Sequence, residues 1–514
     1  MRNSVFTLLL LAFFIACQPQ SQSSQAPKLG KIDLAVSGNE VAQPAFERGL
    51  LLLHSFEYQD AAEAFREAQA ADPDFALAYW GEAMTHNHPL WQQQDYEEAR
   101  DILARLAPTP EARQAKAQTE LEKDLLQAVE VLYGEGDKVD RDQAYADYLG
   151  ELKEKYPESQ EIRAFYALSL LGAVPDGRDE VAYEQGARIA QGILEENPDH
   201  PGALHYLIHA YDDPGHAAQA IMAADRYAEV APDASHALHM PSHIYVALGR
   251  WDDVVSSNEA SYQASLNRME RKDLGYDARG YHAFHWLLYG YLQQGRREDA
   301  ARCLREMVQY SEESPSRRAR VHRVLLLGTY LVETRDWLGE FAEVPLDVAD
   351  AGVTVQGMEG FIRGRQAYER GDEVALQATI DQLDSLHQAE EMNLSQQAIA
   401  VCGSVDRSAP TRTGLNQLKV MTQELRALRA DLAGDLEEAE QWLQRAVQLE
   451  YETSYSYGPP DVIKPSAELY GEWLLAQGRH REAEVQFEQA LQRTPGRRLV
   501  LQGLEQAQQG MAGL

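Results

Sequence analysis

The sequence predicts an all-α protein, a superhelix (α-solenoid) of about eleven stacked helix pairs. Three observations carry that expectation. His205 and His209 recur 34 residues later as His239 and His243, and Pro198 and Tyr211 recur at the same interval as Pro232 and Tyr245. That period is the length of two antiparallel helices with their turns. Gly49, Ala61, Phe65, Ala68 and Pro73 near one end are matched in phase by Gly471, Ala483, Phe487, Ala490 and Pro495 near the other. No segment alternates apolar and polar residues for long enough to make a useful strand.

Taken in order, residues 1–17 read MRNSVFTLLLLAFFIAC. A basic start, an apolar run and small residues before a break form an export signal, and the run is short for a spanning helix. Its end, Phe14-Ile15-Ala16-Cys17, resembles a bacterial lipobox. That resemblance implies a signal peptide over 1–16 and lipidation of Cys17, with 17–40 as lipidated cysteine and flexible tether. Gln18 fits outer-membrane sorting. The expected location is the cell envelope, facing the periplasm or the cell surface.

N-terminal repeats follow over 41–200, with one pair interrupted by THNHPLWQQQ. A histidine-rich block occupies 201–314. There His236, His239 and Tyr245 recur 46 residues on as His282, His285 and Tyr291, so one repeat has absorbed twelve extra residues. Degenerate repeats cover 315–402. A linker rich in Gly, Ser, Pro and Thr is placed at 403–417. The C-terminal repeats and a capping helix fill 418–514, split by TSYSYGPPDVI, in which Tyr455–Pro460 reads as a rigid loop or groove wall.

The chain resembles the tetratricopeptide-repeat family over nearly its whole mature length, on the phased Gly, Ala, Phe, Ala and Pro positions given above. It is most similar to long bacterial envelope members carrying HALHMPSH, LHYLIHAYDDP and YGPPDVIKPSAELYGEWLL. The resemblance implies a right-handed superhelix whose first helices line a concave groove, a surface the family uses to bind proteins or peptides. It implies no activity.

The 514 residues are 44% hydrophobic and 25% charged, an ordinary globular balance. The formal charge of −34 repels phosphate backbones, so nucleic acid is excluded as a partner. A membrane is expected to be reached through the lipid anchor only. Cys303 lies in a helical pattern and is expected to be a buried free thiol rather than paired with Cys402. No CxxC or CxxCH occurs, which argues against thiolate zinc ribbons and attached haem.

Nine of the fifteen histidines lie between His200 and His285. Residues three or four apart share a helical face. On first helices, therefore, His205 with His209, His236 with His239 and His243, and His282 with His285 and Tyr289 would stripe the groove. Imidazole suits zinc, copper, nickel or iron, and two pairs on neighbouring helices make a metal shell or leave an open position. His205, His209, His239, His243, His282 and His285 are the expected ligands of a transition metal. His236, Tyr289, Asp212, Asp213, His86 and His88 are further groove candidates, the two aspartates as ligands or as acceptors orienting an imidazole. His200 and His216 are expected as loop or cap residues, His54 and His480 as ordinary packing or surface groups.

The function expected first is an envelope-tethered binding protein with a metal site in its groove. A metal-free scaffold for a polypeptide is the alternative. A metal-dependent hydrolase or oxidoreductase comes third, because no P-loop, GxSxG, HExxH or dinucleotide fingerprint names a substrate.

Overall fold

The computed structural model describes residues 27–397 and 409–512. Cys17, the signal sequence, Cys402 and residues 403–408 of the expected linker lie outside them; the rest of that linker is short, because a helix already begins at Arg412. Apart from a two-residue ribbon pairing Asn87–His88 with Gln93–Gln94, the ordered elements are helices.

Ten antiparallel pairs succeed one another, each packed on the next. They are Gln43–His54 with Tyr58–Ala71, Ala76–Met84 with Tyr96–Leu106, Glu120–Leu132 with Lys138–Lys155, and Gln160–Gly172 with Glu180–Glu196. Pro201–Ala210 then pairs with Ile221–Val230, the broken helix Ser235–His239 and Pro241–Ala247 with Trp251–Arg271, and Tyr281–Gln293 with Arg297–Glu313. After the single helix Arg317–Thr334 come Val353–Glu369 with Glu373–Gln397, Arg412–Leu432 with Leu436–Glu452, and Ser466–Ala476 with His480–Arg493, closed by Arg498–Ala512. The expected eleventh pair, over 318–352, is half a repeat. Arg335 turns left-handed at φ 55°, and an irregular stretch buries Trp337 and Phe341 in place of a second helix.

The architecture is an all-α superhelix of stacked helix pairs, and its packing explains the phased residues. A methyl group on Gly49 would lie 2.8 Å from the Phe65 ring, and one on Gly471 would lie 2.8 Å from Phe487. Only glycine lets the two helices of those pairs approach so closely. The repeated tyrosines form one recurring bond to the preceding second helix. Tyr211 donates to Glu184 at 2.9 Å, Tyr245 to Asp225 at 2.7 Å and Tyr291 to Glu259 at 2.6 Å.

The superhelix winds tightly enough for distant pairs to touch. Arg268 and Lys272 bind Asp60 of the first pair, and Glu57 accepts from Ser235 Oγ and His236 N. At the other end Trp251 Nε1 donates to Gly496 O at 2.9 Å, and Arg497 is buried against Glu333 and Glu468. Residues 27–40, expected as tether, instead run as an extended strap. Leu29 is buried, Ile32, Leu34 and Val36 pack on the core, and Lys31 N bonds Asp199 O. The apolar residues of that stretch hold it down. Cys303 is buried, as expected, and burial pushes its thiol up to about 12. Among the described residues no helix is long and apolar enough to cross a membrane.

Candidate metal centre

The histidines sit on the first helices of three successive pairs, and local sequence sets their directions. His200 caps the helix Pro201–Ala210, its Nδ1 accepting from Ala203 N at 3.1 Å, and Pro201 occupies the first turn, where no amide hydrogen is needed. His205 and His209 then stand one turn apart. In the next pair Pro241 interrupts the helix, but Met240 keeps helical angles (φ −54°, ψ −36°), so His239 and His243 still share a face. His243 N bonds Met240 O, and Ser242 Oγ satisfies the carbonyl of His239 at 2.7 Å.

Six imidazoles fall into two groups of three. His205, His209 and His236 form one, and His239, His243 and His282 the other; within each, one ligand atom per residue lies within 4.8 Å of the others. The expected stripe of His236, His239 and His243 is therefore divided. His236 turns across to His205, their Nε2 atoms 3.2 Å apart, while His205 and His209 approach through Nε2 at 3.1 Å. His239 and His243 also meet through Nε2 at 3.1 Å, and the His282 ring lies 4.6 Å from that of His239.

The other ring nitrogens fix the tautomers. His205 Nδ1 donates to His54 O at 2.7 Å. His239 Nδ1 donates to Asn258 Oδ1 at 2.7 Å, and that amide is oriented by its own Nδ2 donating to Val254 O. His243 Nδ1 donates to the Asp212 carboxylate. A carbonyl or carboxylate can only accept, so these three rings carry hydrogen on Nδ1 and present Nε2 lone pairs inward. Burial first, and neighbouring imidazoles next, push His205, His209 and His236 well below their usual range, and His239 to about 3. Neutral imidazole is the form that binds a metal.

A third group, His54, Glu161 and His200, has the opposite character. His54 Nδ1 accepts from Tyr206 OH at 2.9 Å, so its Nε2 carries hydrogen and donates to Glu161 Oε2 at 2.6 Å. His200 Nδ1 accepts from a main-chain amide, so its Nε2 faces Glu161 Oε1 at 3.3 Å with a hydrogen to give. The His54–Glu161 contact is a hydrogen bond, whereas His200 Nε2 and Glu161 Oε1 are buried beside each other without completing one.

His285 and Tyr289 do not join the cluster. His285 Nε2 bonds Thr329 Oγ1 at 2.9 Å, and Tyr289 OH accepts from Arg497 at 3.1 Å. On the helix Tyr281–Gln293, His282 and Trp286 point at His239, and residue 285 is about 100° around the axis from 286. Asp212 backs His243, whereas Asp213 binds Arg178 and His216. His86 lies 3.6 Å from Asp95; His88 bonds Thr85 O and stacks on Tyr58 with centroids 4.0 Å apart. Their loop does approach the cluster through Trp91, 6.2 Å from the His236 ring.

The walls are aromatic. Phe56 lies 4.2 Å from His205, and Trp286 stacks on His243 at 4.4 Å. Tyr457, from a loop more than two hundred residues downstream, lies 5.1 Å from His243. His282 is exposed and His236 half-buried, so the solvent side of the cluster is where these two stand. Sequence reasoning missed Asn258, the His54 carbonyl, Phe56 and Trp286. Only Trp286, four residues from His282, carried a local signal.

No family model matches the chain, and no curated protein matches it. Among solved structures it is similar to the APC/C hetero-tetramer Cut9-Hcn1, at 12% identity over 92% of this chain and 77% of that one, with a TM-score of 0.39. Yeast Tom70 aligns at 11% identity over 93% and 97% of the two chains, TM-score 0.31. The human IFIT1 dimer with m7Gppp-AAAA aligns at 12% over 93% and 96%, TM-score 0.34.

Proposed function

We propose that this chain is a solenoid binding protein that holds a transition metal at its histidine cluster. The observation that carries the reading is the 3.1 Å approach of His239 Nε2 to His243 Nε2. Both Nδ1 hydrogens are committed, one to Asn258 and one to Asp212. Two bare lone pairs therefore face each other in a buried place, and a cation between them turns repulsion into binding. An ion at ordinary bond lengths of ~2.0–2.1 Å from both nitrogens would subtend an angle of roughly 100°, within the range of tetrahedral sites. His282 supplies a third donor, and the fourth position is open. Imidazole donors suit zinc, copper, nickel or iron.

The test is metal content of the purified protein beside a His239→Ala, His243→Ala double variant. Metal in the parent, with the ion held by His239 and His243 lost in the variant, is the expected result. Absence of metal after reconstitution with zinc, copper and iron would overturn the reading.

A metal-free scaffold is the second reading, favoured by Trp91, 38% exposed beside His236. On that reading a polypeptide partner binds equally well to the double variant. The chain is further proposed to be anchored to the envelope through Cys17, on the strength of residues 1–17 alone. Labelling with a fatty acid, lost in Cys17→Ala, checks it.

A further inference from the structure

We infer that the six histidines form a two-ion centre, one ion in each group of three, open to a bridging anion. This rests on the metal reading above and extends it from one site to a pair. The first group makes its own case. His205 Nδ1 is committed to His54 O, so its Nε2 is a lone pair, and both His209 Nε2 and His236 Nε2 converge on it at 3.1 and 3.2 Å. One lone pair cannot receive two well-aligned N–H donors. An ion sharing all three nitrogens resolves the contact.

The two groups are distinct yet adjoining. Ligand atoms gather in two sets of three. The His209 and His243 rings are 5.6 Å apart, and those of His236 and His239 6.0 Å. Asp212 joins them, its carboxylate lying within 4.8 Å of a nitrogen of both His209 and His243. One oxygen serves His243, and the other, Oδ1, is buried with no hydrogen-bond partner. A buried carboxylate oxygen left unpartnered is costly, and a nearby cation satisfies it.

Charge then specifies the ligand. Two divalent ions set among neutral imidazoles are offset by the single charge of Asp212. The excess positive charge in a protein-enclosed site calls for an anion with small, hard donor atoms, such as hydroxide or a carboxylate oxygen. It enters on the side of His236 and His282, the two ligands that reach solvent.

The experiment strips the full chain with chelator and titrates it with zinc. Two zinc ions per chain are expected, falling to one in His209→Ala, His236→Ala and to one in His239→Ala, His282→Ala. A single zinc ion in the parent, lost in both variants, would overturn the pair and leave the metal reading standing. No zinc would remove the metal reading itself. Copper(II) loading reads the pair without any variant: magnetic coupling in the electron paramagnetic resonance spectrum is expected, and two uncoupled ions would overturn the adjoining arrangement. Azide added to the copper form is expected to give a new charge-transfer band. No band would overturn the open, anion-binding face.

Discussion

The carboxylate of Asp212 accepts the Nδ1 hydrogen of His243, joining the end of one repeat's first helix to the middle of the next. The bond sets the His243 tautomer and raises the basicity of the nitrogen that faces His239. Asp212→Asn is expected to preserve the fold and weaken metal binding about 10–100-fold, as removal of such orienting acceptors does. Isothermal titration with zinc measures it; unchanged affinity would remove Asp212 from the site.

Gly458 touches the same site from the far end of the chain. It adopts φ +89°, and a methyl group there would lie 2.2 Å from the Trp286 ring, which stacks on His243. Gly458→Ala is expected to cost about 1–3 kcal/mol from the left-handed backbone and the clash together. Displacement of Trp286 should lower metal affinity in the same variant. A melting curve and a titration together check it, and stability lost without any change in affinity would separate Trp286 from the centre.

His285 gives the protein an acid sensitivity apart from the ligands. Burial, helped by nearby His322, pushes it down to about 3. The unfolded chain takes up a proton near the ordinary value of 6.5 while the folded chain does not. Its contribution is therefore complete above that pH and is lost as pH falls from 6.5 towards 3. Stability should drop by about 2 kcal/mol at pH 5 relative to neutral pH from this residue alone. His285→Asn should flatten that part of the profile in denaturant melts; an unchanged slope would contradict the assignment.

Arg497 ties the last helix to the seventh pair and the single helix. It is almost wholly enclosed, bound to Glu333 and Glu468 and touching Tyr289. Arg497→Met leaves the buried Glu333 carboxylate without its cation, while Glu468 keeps Lys464 at 2.5 Å, and is expected to cost about 3–5 kcal/mol. A thermal midpoint within a degree of the parent would show that the pairing is energetically idle.

Several of these contacts were readable in advance and others were not. The pairs at 205 and 209 and at 239 and 243 are visible because a helix brings residues four apart onto one face. His285 was misplaced because the 46-residue offset equates it with His239: the offset does keep Tyr291 in the slot of Tyr245, but on the helix Tyr281–Gln293 it is His282 and Trp286 that face His239, while His285 bonds Thr329. His236 was grouped with its own helix, yet it reaches across to His205. Nor does local spacing show that a backbone carbonyl at His54 orients His205, or that Asn258 orients His239.

By itself the sequence determined the helical repeat, its period, the phased glycines and phenylalanines, and the concentration of histidine on successive first helices. These are local properties, set by side-chain size and by the geometry of a single helix. Only the tertiary structure decided which imidazoles meet, which ring nitrogen each one spends on a neighbour, and that Tyr457 and Gly458 close over them. The reason is that superhelical winding sums small rotations from every repeat. Residues hundreds of positions apart thus come together at angles that no local spacing encodes.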